Sequence, residues 1–191
     1  MSISMSWLIT VTGRPAAGKS TLAAWLGKRL AFPVISKDSI KEVLFDQLGW
    51  QDREWSKMLG RASVELMYYF AQVQLELGNS VILDNAFHPD LASPKLQALE
   101  KQYKANVLQV ICDTSSDILF ERFRQRAESG MRHDGHVDMQ SLDELKANLR
   151  QECSLRLDIG GPVLHVDTTD LAALRYEVIL EQVKAVIDSV D

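Results

Sequence analysis

Trp7-Leu-Ile-Thr-Val-Thr12-Gly13-Arg-Pro-Ala-Ala-Gly18-Lys19-Ser20 is the stretch on which the reading of this chain turns. Trp7 to Val11 is a short apolar run that reads as a buried strand, and Thr12-Gly13 opens a turn. Gly13 to Ser20 then satisfies G-x-x-x-x-G-K-[ST] in full. At average composition such a pattern arises by chance in roughly one chain in a hundred of this length. A strand before it and an amphipathic helix after it make chance rarer still. The loop must wrap a polyphosphate with backbone N–H groups, so it needs glycine where a side chain would collide or φ is positive. Leu22, Trp25, Leu26 and Leu30 share one face of a helix from Lys19 to Leu30, whose N-terminal dipole favours the same phosphates. The motif assigns the nucleotide to Gly13, Arg14, Pro15, Ala16, Ala17, Gly18, Lys19, Ser20 and Thr21. Within it the Lys19 ammonium reaches the β- and γ-phosphates of ATP, and the Ser20 hydroxyl completes the coordination of Mg²⁺.

Outward from this loop, strands and helices alternate. Strands are expected at Phe32 to Ile35, Ser80 to Asp84, Val107 to Cys112 and Pro162 to Val166. Helices are expected at Asp38 to Leu48, with Asp38 placed as a cap, and from about Glu54 to Leu77, ended by Gly78-Asn79. Further helices are expected at Pro89 to Tyr103, Ser116 to Arg126, Ser141 to Leu157 and Asp170 to Val190, with a polar loop from Glu128 to Asp138. Five short apolar strands alternating with helices predict a doubly wound α/β fold with a parallel sheet covered on both faces. Ligands of such folds sit at the carboxyl ends of the strands, so the informative residues are those just after each strand.

Bulk composition agrees. The 191 residues are 46% apolar and 25% charged, the balance of a chain that buries a core, and the length suits one domain, residues 1–191. The net charge of −5 argues against a nucleic-acid groove along the whole surface. Arg122 to His136 nevertheless gathers four Arg and two His, a local patch suited to a small anionic ligand. Cys112 and Cys153 form no CxxC and read as core thiols of a reducing compartment. No apolar run approaches a membrane span, and Met1 to Thr10 has no basic segment of a signal peptide. A cytoplasmic location, with no membrane partner, is expected.

A phosphate-binding loop also needs a carboxylate near Mg²⁺ at the end of a buried strand. Asp84 after Val81-Ile-Leu fits, and Asp113 after Val110-Ile-Cys is the competitor.

At this point the chain resembles the P-loop small-molecule kinases related to polynucleotide kinase, shikimate kinase and chloramphenicol phosphotransferase, a group of AAA-type ATP-binding kinases. The resemblance runs from about Trp7 to Val190. It rests on the phosphate loop, Ile35-Ser-Lys-Asp38-Ser-Ile-Lys41, Val81-Ile-Leu-Asp84-Asn85, the segment around Arg122 and Arg126, and Val166-Asp-Thr168-Thr169. It implies a three-layer P-loop NTPase fold, a five-stranded parallel sheet in the order 2-3-1-4-5, and an Arg-bearing lid at about residues 127–140. It also implies that the third strand lies beside the first, which favours Asp84 over Asp113.

In that group the residue matching Asp38 sits beside the acceptor hydroxyl, where a carboxylate orients the nucleophile and takes its proton. A helix cap is the other reading of Asp38. Three residues on, the group often places an anion-holding Arg, where this chain has Lys41. Lys is a point charge without the bidentate fork, so an anionic acceptor does not follow at this position. The resemblance places Arg122 and Thr168 at the nucleotide, and Arg126 and Arg132 at the transferring phosphoryl group as catalytic residues. His133-x-x-His136 lacks a Cys partner and reads as surface polarity or a substrate contact. The acceptor pocket is expected from Lys41, Trp50, Arg53, Arg61 and His88, with Trp50 able to stack on a ring and Trp55 read chiefly as helix packing.

The expected activity is transfer of the γ-phosphate of ATP to a hydroxyl of a metabolite, nucleoside or antibiotic. A polynucleotide 5′-hydroxyl kinase and a nucleotide-binding ATPase or switch are the alternatives. A GTPase is disfavoured because no [NT]-K-x-D follows, and a motor ATPase because Asn85, not Glu, follows Asp84.

Overall fold

A computed structural model describes residues 5–151 and 154–190. Its sheet has five parallel strands in the order β2-β3-β1-β4-β5. These are β1 (Trp7–Thr12), β2 (Val34–Ser36), β3 (Val81–Asp84), β4 (Asn106–Asp113) and β5 (Val163–Asp167). The central strand β1 lies between β3 and β4, and all six of its residues are buried. That is why it reads as a continuous apolar run without alternation.

The helices are α1 (Lys19–Leu30), α2 (Lys37–Leu48), α3 (Arg53–Glu76), α4 (Pro89–Tyr103), α5 (Ser116–Ser129), α6 (Leu142–Leu149) and α7 (Tyr176–Asp188). Two apolar clusters cover the two faces of the sheet. Leu22, Ala23 and Leu26 of α1 pack with Leu119 and Phe123 of α5 and Val183 of α7 on one face. Met67, Ala71 and Leu75 of α3 pack with Leu96 and Leu99 of α4 on the other. The three-layer P-loop fold and its strand order are therefore as the sequence leads one to expect. Among the described residues no helix is long and apolar enough to cross a membrane. Cys112 is fully buried and its thiol is pushed up to about 12 by burial, as befits a core thiol, whereas Cys153 lies outside the described residues.

Three helix boundaries differ from the sequence reading. α2 starts at Lys37 after Ser36, so Asp38 stands in the first turn and is not the cap. α6 ends at Leu149, well before Leu157. The Leu149 carbonyl accepts hydrogen bonds from Arg14 at 3.2 Å and from the Ser116 hydroxyl at 3.0 Å. Beyond it, the buried Gln109 amide clasps the backbone of Leu157, donating to its carbonyl at 3.2 Å and accepting from its N–H at 3.0 Å. Those bonds replace helical ones, so Ser154 to Leu157 lie outside any helix, and residues 152–153 of the expected helix lie outside the described residues. α7 starts at Tyr176 and not Asp170, because the Asp170 carboxylate accepts from the N–H groups of Ala172 and Ala173 and closes a local turn. The supposed loop after α5 also has form: α5 continues to Ser129, and short 3-10 turns follow at Asp134–His136 and Asp138–Ser141.

Candidate active site

The loop after β1 meets its steric requirements at two glycines. At Gly13 (φ +157°) a Cβ would lie 2.5 Å from the carbonyl oxygen of Cys112. Gly18 (φ +81°) is left-handed at the start of α1, and a Cβ there would meet Leu171 at 2.7 Å. The Arg14 guanidinium turns away from the loop cavity and ties it to the end of α6, donating to the carbonyls of Leu149 and Gln151. Arg14 thus serves the loop through its backbone and its anchoring.

Asp84 ends β3 beside Ser36, which ends β2. The Ser36 hydroxyl donates to Asp84 Oδ2 at 2.9 Å. Asp84 is buried, and its Oδ1 has no hydrogen-bond partner among the described residues. Buried carboxylate oxygens are costly to leave unsatisfied. Burial pushes the Lys19 ammonium below its ordinary value, and the carboxylates of Asp84 and Asp38 oppose that shift. An unsatisfied hard oxygen at Asp84, together with the Ser20 hydroxyl on the same cavity wall, is a donor set suited to Mg²⁺.

Across the cavity, Asp38 accepts from Lys37 Nζ at 2.9 Å and from the Arg132 guanidinium. Burial raises the Asp38 carboxyl, but Lys37 and Arg132 outweigh it and hold the group well below the usual carboxylate range. Arg132 also grips Asp138 with paired bonds of 2.9 and 3.0 Å. Arg126 approaches the same Asp138 at 3.5 Å, and its buried Nε has no hydrogen-bond partner among the described residues. The segment carrying Arg132 is seated on α2 by stacking. The Phe45 ring lies 5.1 Å from His133 and 5.4 Å from His136. At Gly135 a Cβ would fall 2.5 Å from that ring, so this glycine permits close packing. Lys19, Ser20, Asp38, Asp84, Arg126 and Arg132 all line one cavity of about 200 Å³.

The profile of the AAA_33 family, an AAA domain, matches residues 8–151. The chain belongs to that family. A crystal structure of a protein from Chloroflexus aurantiacus J-10-fl, provisionally described as a kinase, is 35% identical with a TM-score of 0.85. The alignment covers 96% of this chain and 98% of that one. Kti12 of Chaetomium thermophilum, crystallised with ADP-AlF3, is 20% identical with a TM-score of 0.63, covering 94% and 98% of the two chains. A sugar kinase from Janibacter sp. HTCC2649 is 12% identical with a TM-score of 0.56, covering 96% and 95%. The last two show the fold alone. Among curated proteins none matches the chain.

In this AAA_33 chain the remaining residues singled out by sequence fall into three places. Arg122 donates to the carbonyls of Thr168 and Thr169 at 2.8 and 2.9 Å, and Thr168 in turn donates from its N–H and hydroxyl to the Asp113 carbonyl. These residues stand apart from the 200 Å³ cavity. Arg53 and Lys41 line that cavity, whereas Arg61 and His88 line an adjoining cleft. Trp50 lines a cavity of about 250 Å³ with Arg126, Arg132 and Met139. Trp55 donates its indole N–H to the Gly49 carbonyl at 3.0 Å.

His136 is buried, not surface polarity. Its Nε2 lies 2.9 Å from Glu42, and burial, then Arg132, pushes the imidazole down to about 3. Sequence reasoning passed over Lys37, Asp138 and Glu144. Lys37 stands next to Asp38 and was open to notice. Asp138 and Glu144 gave no signal, because their partners Arg132 and Arg53 are brought to them by the fold.

Proposed function

We propose that this protein transfers the γ-phosphoryl group of ATP to a hydroxyl of a small molecule. The observation that carries the reading is one cavity that holds the phosphate-loop Lys19, the buried and half-satisfied Asp84, and an ionised Asp38 gripped by Arg132. A cavity with these groups has a place for each reacting oxygen. On this reading residues 1–191 form one kinase domain with a lid at about 127–140. A cytoplasmic location fits the buried free thiol of Cys112.

The backbone N–H groups of Gly13 to Ser20 and the start of α1 hold the triphosphate. Lys19 sets its charge against the β- and γ-phosphates. Ser20 and Asp84 hold Mg²⁺, which when bound neutralises charge on the phosphate oxygens. The acceptor hydroxyl attacks the γ-phosphorus, a new O–P bond forms, and the bond to the β–γ bridging oxygen breaks to release ADP. Asp38 accepts a hydrogen bond from the hydroxyl and holds it in line. So acidic a carboxylate takes the proton late, as the O–P bond forms, in keeping with a loose transition state. Arg126, with its free Nε, and Arg132 face the charge that develops on the phosphoryl oxygens.

The test is incubation with Mg²⁺ and γ-labelled ATP against a panel of nucleosides, sugars, hydroxylated antibiotics and 5′-hydroxyl oligonucleotides. Label on a small-molecule class, absent with Lys19→Ala, is the expected result. Label released only as inorganic phosphate with every acceptor contradicts the proposal.

A further inference from the structure

We propose that the cleft adjoining the catalytic cavity takes the phosphate acceptor, and that this acceptor is a hydroxyl compound with a phosphate or carboxylate group on a ring-sized apolar body. This rests on the kinase reading above.

The cleft has a volume of about 610 Å³, within the range of small-molecule sites. It lies between α3 and the connection from β3 into α4. It shares Lys37, Lys41, Arg53, Asn85 and Ala86 with the 200 Å³ cavity, so a ligand in it reaches Asp38. In a chain of net charge −5, its wall carries six cations, Lys37, Lys41, Arg53, Lys57, Arg61 and Lys95, against the single carboxylate of Glu65. Glu65 is already engaged by Lys95.

Four of the six cations have carboxylate partners. Lys37 pairs with Asp38, Arg53 with Glu144, Lys57 with Glu54, and Lys95 with Glu65. Arg61 has no ion pair and no hydrogen bond among the described residues. Lys41 is only 4% exposed, and its ammonium is bound to the Ser56 hydroxyl at 2.7 Å, with the Phe45 ring at 5.1 Å and no ion pair among the described residues. Burial, then the neighbouring Lys37, pushes it down to about 7. A buried ammonium without a counter-ion is an unfavourable arrangement that an anion would relieve.

Gly60 gives that anion access. It lies inside α3, and the atoms nearest to a Cβ there would be Lys41 Cε at 3.7 Å and the Nζ atoms of Lys37 and Lys41 at 3.8 Å. With no side chain at Gly60, nothing of that residue covers either ammonium on the cleft wall. Val64, Tyr68, Phe87 and Leu91 add apolar surface to the wall, beside the polar Ser56, Asn85 and His88. The cleft therefore offers cations to an anion and apolar surface to a ring or short aliphatic body.

The test is calorimetric titration of the intact protein with its phosphate loop filled by Mg²⁺ and a non-hydrolysable ATP analogue. The probes are phenyl phosphate, mandelate, benzyl alcohol and a 5′-hydroxyl tetranucleotide. At least one of the two small anions is expected to bind at least tenfold more tightly than benzyl alcohol, and the tighter of the two names the anionic group. Arg61→Gln and Gly60→Leu are each expected to lower that affinity at least fivefold. Equal binding of benzyl alcohol, no binding of either anion, or wild-type anion affinity in both variants overturns the proposal. A tetranucleotide that out-competes both small anions more than tenfold overturns it in favour of a nucleic-acid end. The analogue's own titration reports the nucleotide site separately, so failure of the kinase reading is distinguishable from failure of this one.

Discussion

Among the described residues Asp38 pairs with Lys37 of its own helix and with Arg132 of the segment after α5. Exchanging Asp38 for the isosteric Asn keeps the shape and removes the charge that, in the proposed mechanism, orients the hydroxyl. Lys19→Ala removes the charge placed at the β- and γ-phosphates, and is expected to lower turnover by about 10²–10³-fold with any acceptor in a labelled-phosphate assay. His136 predicts a pH effect. Its imidazole is held near 3 when folded and ordinarily titrates near 6.5, so the unfolded chain binds the extra proton between those values. Stability from this group is present above about pH 6.5 and is lost as pH falls toward 3. His136→Gln should therefore show a shallower loss of denaturant stability over that window than wild type, by up to about 1.4 kcal/mol per pH unit. The steric demand of the loop at Gly13 and Gly18 was legible in the sequence, because it belongs to a local motif. His136 was not, because a polar residue between Gly135 and Val137 gives no sign that Phe45 and Glu42 close over it.

At the scale of elements, glycines separate packing from access. At Gly60 an added methyl would make only ordinary contacts, so Gly60→Ala should stabilise α3 by about 0.5–1 kcal/mol through helix propensity, measured by denaturant unfolding. Gly135→Ala should do the reverse. Its methyl would overlap the Phe45 ring, and overpacking of this kind costs about 1–3 kcal/mol. The segment from Gly130 to Ser141 should then be cut faster by protease, while the strands keep their hydrogen-exchange protection. Helix α1 was legible to the residue, since apolar spacing and the loop motif both fix its ends. α6 and α7 were not. Side chains distant in sequence, Arg14, Ser116 and Gln109, take the backbone groups that would have extended α6, and Asp170 takes those before α7.

At the scale of the whole molecule, the sheet collects the ends of β1, β2 and β3 on one rim, bringing Lys19, Asp38 and Asp84 to one cavity although they span residues 19 to 84. Parallel strands joined by helices produce this convergence, so the fold class and the strand ends were readable from alternation alone. The charge of the adjoining cleft was not readable. Its cations are scattered from Lys37 to Lys95, and only the packing of α3 beside β3 shows which of them face one another. The central claim is that Asp38 acts on the acceptor and not on the nucleotide. The most direct test is the paired measurement of ATP affinity and γ-phosphate transfer for Asp38→Asn. The account predicts ATP affinity within about threefold of wild type and transfer lowered by at least about 10²-fold. Loss of ATP binding together with transfer, or transfer retained near the wild-type rate, would contradict it.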